Sequence, residues 1–123
     1  VVRLLGVWPA GVALGLPRIA RAAERWPRVE IVMNHAGADG TVVRALCAAG
    51  VDGLVAAGTG NGTLSRGLDA ALREAEAAGV RVVRSTRCDA GPVMELPGLL
   101  PSAGALSPVK ARIELILALL AET

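Results

Sequence analysis

Short apolar runs alternate along this chain with segments that carry apolar residues at helical spacing, and glycines mark most of the joins. Residues 29–33 (Val-Glu-Ile-Val-Met) form a mainly β-branched run, which predicts a strand. Residues 34–40 break it with two glycines and Asp39. In residues 41–49, Val42, Val43, Leu46 and Ala49 recur at spacings of three and four, which predicts a short helix that Gly50 stops. The pattern then repeats. Residues 51–57 are apolar almost throughout, as expected of a buried parallel strand. A glycine-rich loop, Gly58-Thr59-Gly60-Asn61-Gly62, leads into a helix over 63–78 with Leu64, Leu68, Ala71, Leu72 and Ala75 on one face, closed by Gly79. Residues 80–83 predict the third strand, and 85–102 a long loop rich in proline and glycine. Residues 103–106 predict a short fourth strand. Ser107 is then a good N-cap, and Pro108 suits the first position of a last helix running to about Ala121.

Strand, helix, strand, helix, strand at this spacing implies parallel pairing with right-handed crossovers. The expected fold is a small three-layer αβα domain of Rossmann-like or flavodoxin-like type. Ligands in such folds bind beyond the carboxyl ends of the strands, where the 34–40 and 58–62 loops lie. Residues 1–17 read as irregular sequence punctuated by Trp8-Pro9 and Leu16-Pro17, with a short helix over 18–25 that Pro27 ends. In the last helix Val109, Ile113, Ile116, Leu117 and Leu120 form one stripe, with Leu115 and Leu119 off it. A helix apolar on most sides is either buried all round or meets another chain, and in a domain this small a partner surface is expected.

Composition narrows the function. The 123 residues are 53% hydrophobic and 20% charged, which excludes disorder and fits one domain. With no Phe or Tyr and only two Trp, the core must be aliphatic. A net charge of +2 without a basic run or aromatic platform gives no reason to expect nucleic acid. The apolar opening stretch is too short and too interrupted for a membrane span, and lacks the basic start of a signal peptide. A chain that opens on Val1 is expected to be a piece of a longer protein. One His excludes a multi-histidine metal site, and Cys47 and Cys88 read as buried small apolar residues.

The 58–62 loop is the best candidate for a site, because backbone amides between a strand and a helix can face an anion. Its glycines fall at every second position, which is neither the dinucleotide fingerprint nor a P-loop, and a tight turn reads the same letters equally well. Asp39 reads as a turn residue or a cap for the following helix. Ser85-Thr86-Arg87 reads as loop bracing or an anion contact. His35 has no acid partner nearby in sequence, and no nucleophilic triad or carboxylate pair is evident.

Six blocks in order carry a resemblance. They are Trp26-Pro27-Arg28-Val29-Glu30-Ile31-Val32, Ala36-Gly37-Ala38-Asp39-Gly40, Gly50-Val51-Asp52-Gly53-Leu54-Val55, Ala57-Gly58-Thr59-Gly60-Asn61-Gly62, Val82-Val83-Arg84-Ser85-Thr86-Arg87 and Leu106-Ser107-Pro108-Val109-Lys110-Ala111-Arg112. From about Trp26 onward the chain resembles the small C-terminal domain of bacterial L-asparaginases, so residues 26–123 are expected to form that domain and 1–25 a linker. The resemblance implies hydrolysis of asparagine, often also glutamine, by a threonine nucleophile without metal or organic cofactor. It places that nucleophile and its threonine, lysine and aspartate partners in a larger N-terminal domain with Thr-Gly-Gly-Thr-Ile and His-Gly-Thr-Asp-Thr type motifs, neither of which occurs here. It further implies a homo-oligomer in which this domain completes a neighbour's active site, and an isolated chain that is inactive. The residues it assigns to that site are Gly60, Asn61, Gly62 and Thr63, with Glu95 as the one glutamate of the long loop. Thr63 stands where the periplasmic enzymes often have asparagine. The parent is compatible with a cytoplasmic or a periplasmic location.

Overall fold

A computed structural model describes residues 2, 13–21 and 25–122. The elements follow in the order α1 (Leu16–Arg21), β1 (Val29–Met33), α2 (Thr41–Ala48), β2 (Gly53–Gly58), α3 (Arg66–Ala77), β3 (Arg81–Thr86) and α4 (Pro108–Glu122). The strands form one parallel sheet in the order β1-β2-β3, with Val29 opposite Gly53 and Gly53 opposite Arg81. Of the helix expected over 18–25, residues 18–21 belong to α1, Arg25 is not helical, and 22–24 lie outside the described residues, as does the Trp8-Pro9 segment.

The sheet has a core on each face. Leu54 and Ala56 of β2 pack with Val43, Leu68 and Leu72 beneath α2 and α3. Val55 points the other way and packs with Val29, Leu115 and Leu120 beneath α4. This is the expected three-layer αβα arrangement, and it buries all six residues of β2. Side-chain size sets the spacing of the layers. A Cβ on Gly53 would come within 3.0 Å of Leu115 Cδ2, so the missing side chain lets α4 approach the sheet. Each fully buried leucine contributes about 1.5–3 kcal/mol of transfer free energy.

Several expected boundaries move. α3 begins at Arg66 rather than residue 63, because Ser65 caps it: the Ser65 hydroxyl accepts from the Leu68 N–H at 3.3 Å and donates to the Ala38 carbonyl at 2.7 Å. β3 continues through Ser85 and Thr86, which are therefore buried strand residues and not loop. The expected fourth strand over 103–106 does not form. The Arg84 N–H donates to the Pro101 carbonyl and the Ala103 N–H to the Arg84 carbonyl, a single parallel bridge centred on Ser102. Gly104 then takes a φ of +61° and turns the chain away from the sheet.

The buried faces of two helices also differ from expectation. In α2 the inward residues are Val43, Leu46 and Cys47, while Val42 is 56% exposed and Ala49 is the exposed C-cap. Val42 precedes Val43 by one position, about 100° around the helix, and so leaves the seam. In α4 the buried residues are Ala111, Leu115, Ile116 and Leu120. Leu115, expected off the buried stripe, is 5% exposed, whereas Val109 and Ile113 are 67% and 49% exposed. Arg112 tethers α4 in this rotation, its Nε donating to the Val29 carbonyl at 2.7 Å at the start of β1.

Candidate functional site

β2 ends in a tight turn. The Thr63 N–H donates to the Thr59 carbonyl at 2.8 Å, and the Thr59 N–H returns to the Thr63 carbonyl at 3.0 Å. Between them Gly60 and Gly62 take φ values of +50° and +73°, a region that favours glycine. The turn residues Gly60 and Asn61 are exposed, as is Thr63, while Gly62 is buried. The Thr59 and Thr63 amides are thus spent on the turn itself, and three residues separate Gly62 from the start of α3. A phosphate cradle opening directly onto a helix does not form. Asn34, just past β1, supports this end of the sheet: its N–H donates to the Ala57 carbonyl at 2.9 Å and its Oδ1 accepts from the Ser65 N–H at 2.8 Å.

The turn is tied to the loop after β3. Asn61 Oδ1 accepts from the Met94 N–H at 2.7 Å, which places the turn beside Glu95. Among the described residues nothing accepts from the Asn61 Nδ2 group, so its two hydrogens are available to an incoming acceptor. Glu95 Oε2 accepts from the Ser102 N–H at 2.7 Å, which holds the carboxylate on the loop surface with Oε1 unengaged. Gly60, Asn61, Gly62, Thr63 and Glu95 are therefore drawn from two loops to one end of the sheet. Beside them lies a cleft of about 420 Å³ lined by Asn61, Thr63, Arg66, Leu96 and Leu99 among others.

One residue essential to this geometry was not singled out by the sequence reading. Arg84 is 2% exposed, and its guanidinium donates to the carbonyls of Asn61 (2.8 Å), Met94 (2.9 Å) and Leu100 (2.9 Å). Among the described residues no carboxylate pairs with it. The available signal was its spacing: Arg84 follows Val82 by two residues and so shares its inward face once the strand is carried past Val83.

The other candidates resolve as follows. Ser85 Oγ donates to the Leu106 carbonyl at 2.8 Å, and Thr86 Oγ1 accepts from the Cys88 N–H at 3.1 Å, which is loop bracing. Cys47 is half-buried. Cys88, expected to be buried, is exposed, because the chain leaves the sheet after Thr86. Hydrogen bonds from the Thr86 side chain and then the Gly60 backbone hold its thiol below the usual value. Asp39 Oδ1 accepts from the Thr41 N–H at 2.9 Å as a turn residue, with Gly40 as the formal cap. That bond, followed by one from the Thr41 hydroxyl, lowers the Asp39 carboxyl. His35 is exposed, with Nδ1 3.0 Å from the Ala36 carbonyl. Among the described residues no three His, Cys, Asp or Glu side chains gather to hold a metal, and no helix is long and apolar enough to cross a membrane.

Comparison with known proteins identifies the family. Residues 28–123 match the glutaminase/asparaginase C-terminal domain family. The chain is 39% identical over 99 residues to L-asparaginase 2 of Escherichia coli (strain K12), covering 76% of this chain and 28% of that protein. It is 36% identical over 100 residues to glutaminase-asparaginase of Pseudomonas fluorescens biotype A, with 76% and 28% covered. It is 38% identical over 101 residues to L-asparaginase 2 of Bacillus subtilis (strain 168), with 76% and 26% covered. The chain thus spans about a quarter of the length of these relatives. Matched over residues 28–123, which hold the whole parallel sheet and the turn at the end of its central strand, this chain belongs to the glutaminase/asparaginase C-terminal domain family.

Proposed function

We propose that this domain works within an L-asparaginase-type amidohydrolase, which converts asparagine, and glutamine to some degree, to the acid and ammonia. In this reading it presents the Gly60-Asn61-Gly62 turn, Thr63 and Glu95 to an active site whose nucleophile lies on an N-terminal asparaginase domain of a neighbouring subunit. The observation that carries the reading is Asn61. Its carbonyl and its Oδ1 are held by Arg84 and Met94, while its Nδ2 hydrogens remain free at the sheet end. An immobilised donor of this kind suits a carboxylate or amide oxygen, or the backbone of a neighbouring loop, because little freedom is lost on contact. Thr63, in place of the asparagine common in periplasmic relatives, offers one hydroxyl for the same purpose. The chemistry needs no metal or organic cofactor from this chain.

The test has two arms. The purified chain is expected to release no ammonia from asparagine or glutamine above background, with its Asn61→Ala variant as a control for host enzyme. In the full-length protein that contains this domain, Asn61→Ala is expected to lower turnover about tenfold or more, the cost of one hydrogen bond to a charged group. Unchanged kinetics in that variant, or genuine hydrolysis by the isolated chain, overturns the reading. Self-association belongs to the same proposal, and the exposed Val109 and Ile113 stripe of α4 supplies its probe. Ile113→Glu is expected to lower the mass in solution of an associated chain. Leu119, half-buried in the domain's own core, is the poorer choice.

A further inference from the structure

We propose that Arg84 is a positioning residue that joins the Asn61 turn and segment 93–102 into one mechanical unit, so that contact with either is transmitted to the other. Its functional consequence rests on the site-completing reading above; the coupling itself rests on geometry. Three carbonyls from two loops far apart in sequence, those of Asn61 and of Met94 and Leu100, converge on one buried guanidinium. A planar fork with donors in several directions can serve all three together, whereas an ammonium is a point charge on a flexible stem. No carboxylate neutralises this cation among the described residues, so the three carbonyl dipoles must offset its desolvation. That requirement fixes their positions. The sequence makes room for the contact at Gly62, where a Cβ would lie 2.9 Å from Arg84 Nη1. The segment reinforces itself as well: Ser102 Oγ donates to the Val93 carbonyl at 2.6 Å, and the Ser102 N–H to Glu95 at 2.7 Å. Through Arg84 the turn that carries the free Nδ2 of Asn61 and the segment that carries Glu95 share one anchor.

The experiment is amide hydrogen exchange by NMR on the chain and its Arg84→Lys and Arg84→Ala variants. The Met94 and Ser102 amides are expected to exchange about tenfold or more faster in both variants, the loss of at least one charge-assisted bond. The Leu72 and Ala75 amides in α3 are expected to stay as they were. Millimolar guanidinium chloride is expected to restore Met94 and Ser102 protection, and the Asn61 side-chain resonances, in Arg84→Ala, while sodium chloride at equal ionic strength does not. If Arg84→Ala does not fold, Arg84→Lys decides alone. Unchanged Met94 and Ser102 protection in Arg84→Lys overturns the proposal. So does an equal rise in exchange throughout α3, which marks a general structural role. Failure of the two readings is separable. Lost coupling with full-length turnover unaffected overturns the site-completing role and leaves the coupling standing. Intact coupling in Arg84→Lys, with turnover lowered by Asn61→Ala, does the reverse.

Discussion

Gly58→Ala is the sharpest probe of how the turn is built. Gly58 ends β2 with the turn folded back over it. A Cβ there would lie 2.4 Å from the Gly62 carbonyl carbon and 2.7 Å from both Gly62 Cα and its oxygen. These are backbone atoms, so no rotamer change relieves the overlap and the turn has to lift. Lifting it breaks the two Thr59–Thr63 bonds and the bond from Arg84 to the Asn61 carbonyl. At about 0.5–1.5 kcal/mol for each neutral bond and about 1.5–3 kcal/mol for the charged one, the expected destabilisation is roughly 2.5–6 kcal/mol. Gly60→Ala is the matched control two residues away. Beyond its own chain neighbours no atom lies within 4 Å of its Cβ position, and its only cost is the φ of +50°, about 1–2 kcal/mol. The assay is urea unfolding of both variants followed by far-ultraviolet circular dichroism, with stabilities compared at equal slope. If Gly58→Ala costs no more than Gly60→Ala, the turn is not packed against the strand end as described, and the account of what holds Asn61 in place fails with it.

Two further outcomes test other parts of the structure. Leu115→Ala, which empties the seam between α4 and β2, is expected to destabilise by about 2–5 kcal/mol. Val109→Ala on the same helix is expected to stay within about 0.5 kcal/mol, and equal losses in the two unfolding curves contradict the rotation of α4. For Cys88, hydrogen bonding favours the thiolate, so the rate of alkylation by iodoacetamide is expected to rise with an inflection below the ordinary value of 9.0. Thr86→Val removes the largest of those bonds and is expected to move the inflection upward, and a profile unaffected by that change counts against the contact.

The layered fold was legible in the chain because the patterns that encode it are local. β1 was read at Val29–Met33 as observed, and the apolar run over 51–57 marked a strand covered on both faces. Gly50 and Gly79 lie just past α2 and α3 with φ values of +78° and +96°, and Ser107 with Pro108 opens α4. The same locality explains the errors. Which side of α4 meets the sheet depends on how Ala111, Leu115, Ile116 and Leu120 pack against Val29 and Val55, with Arg112 bonded to the Val29 carbonyl 83 residues away, and no spacing within the helix contains those contacts. The fourth strand failed at Gly104, whose backbone turns before a ladder can grow beyond the single bridge at Ser102.

For the site, the order of blocks is enough to indicate the family, and the resemblance offers Gly60, Asn61, Gly62, Thr63 and Glu95 as candidates. What it did not contain was the relation among them. Asn61 and Glu95 are 34 positions apart in the chain, and become neighbours because Asn61 Oδ1 reaches the Met94 N–H. Arg84 was passed over because a charged residue after a β-branched pair reads as the end of a strand. In the folded chain it is the point where three carbonyls from two loops meet. By itself, then, the sequence determined the three strands with the helices between them, their parallel order and the chemical character of the turn, all of which follow from hydrophobic spacing and backbone preference over a few residues. Only the tertiary structure decided which side chains hold that turn in place, because a buried cation has to find its partners wherever the packed chain brings carbonyl groups together.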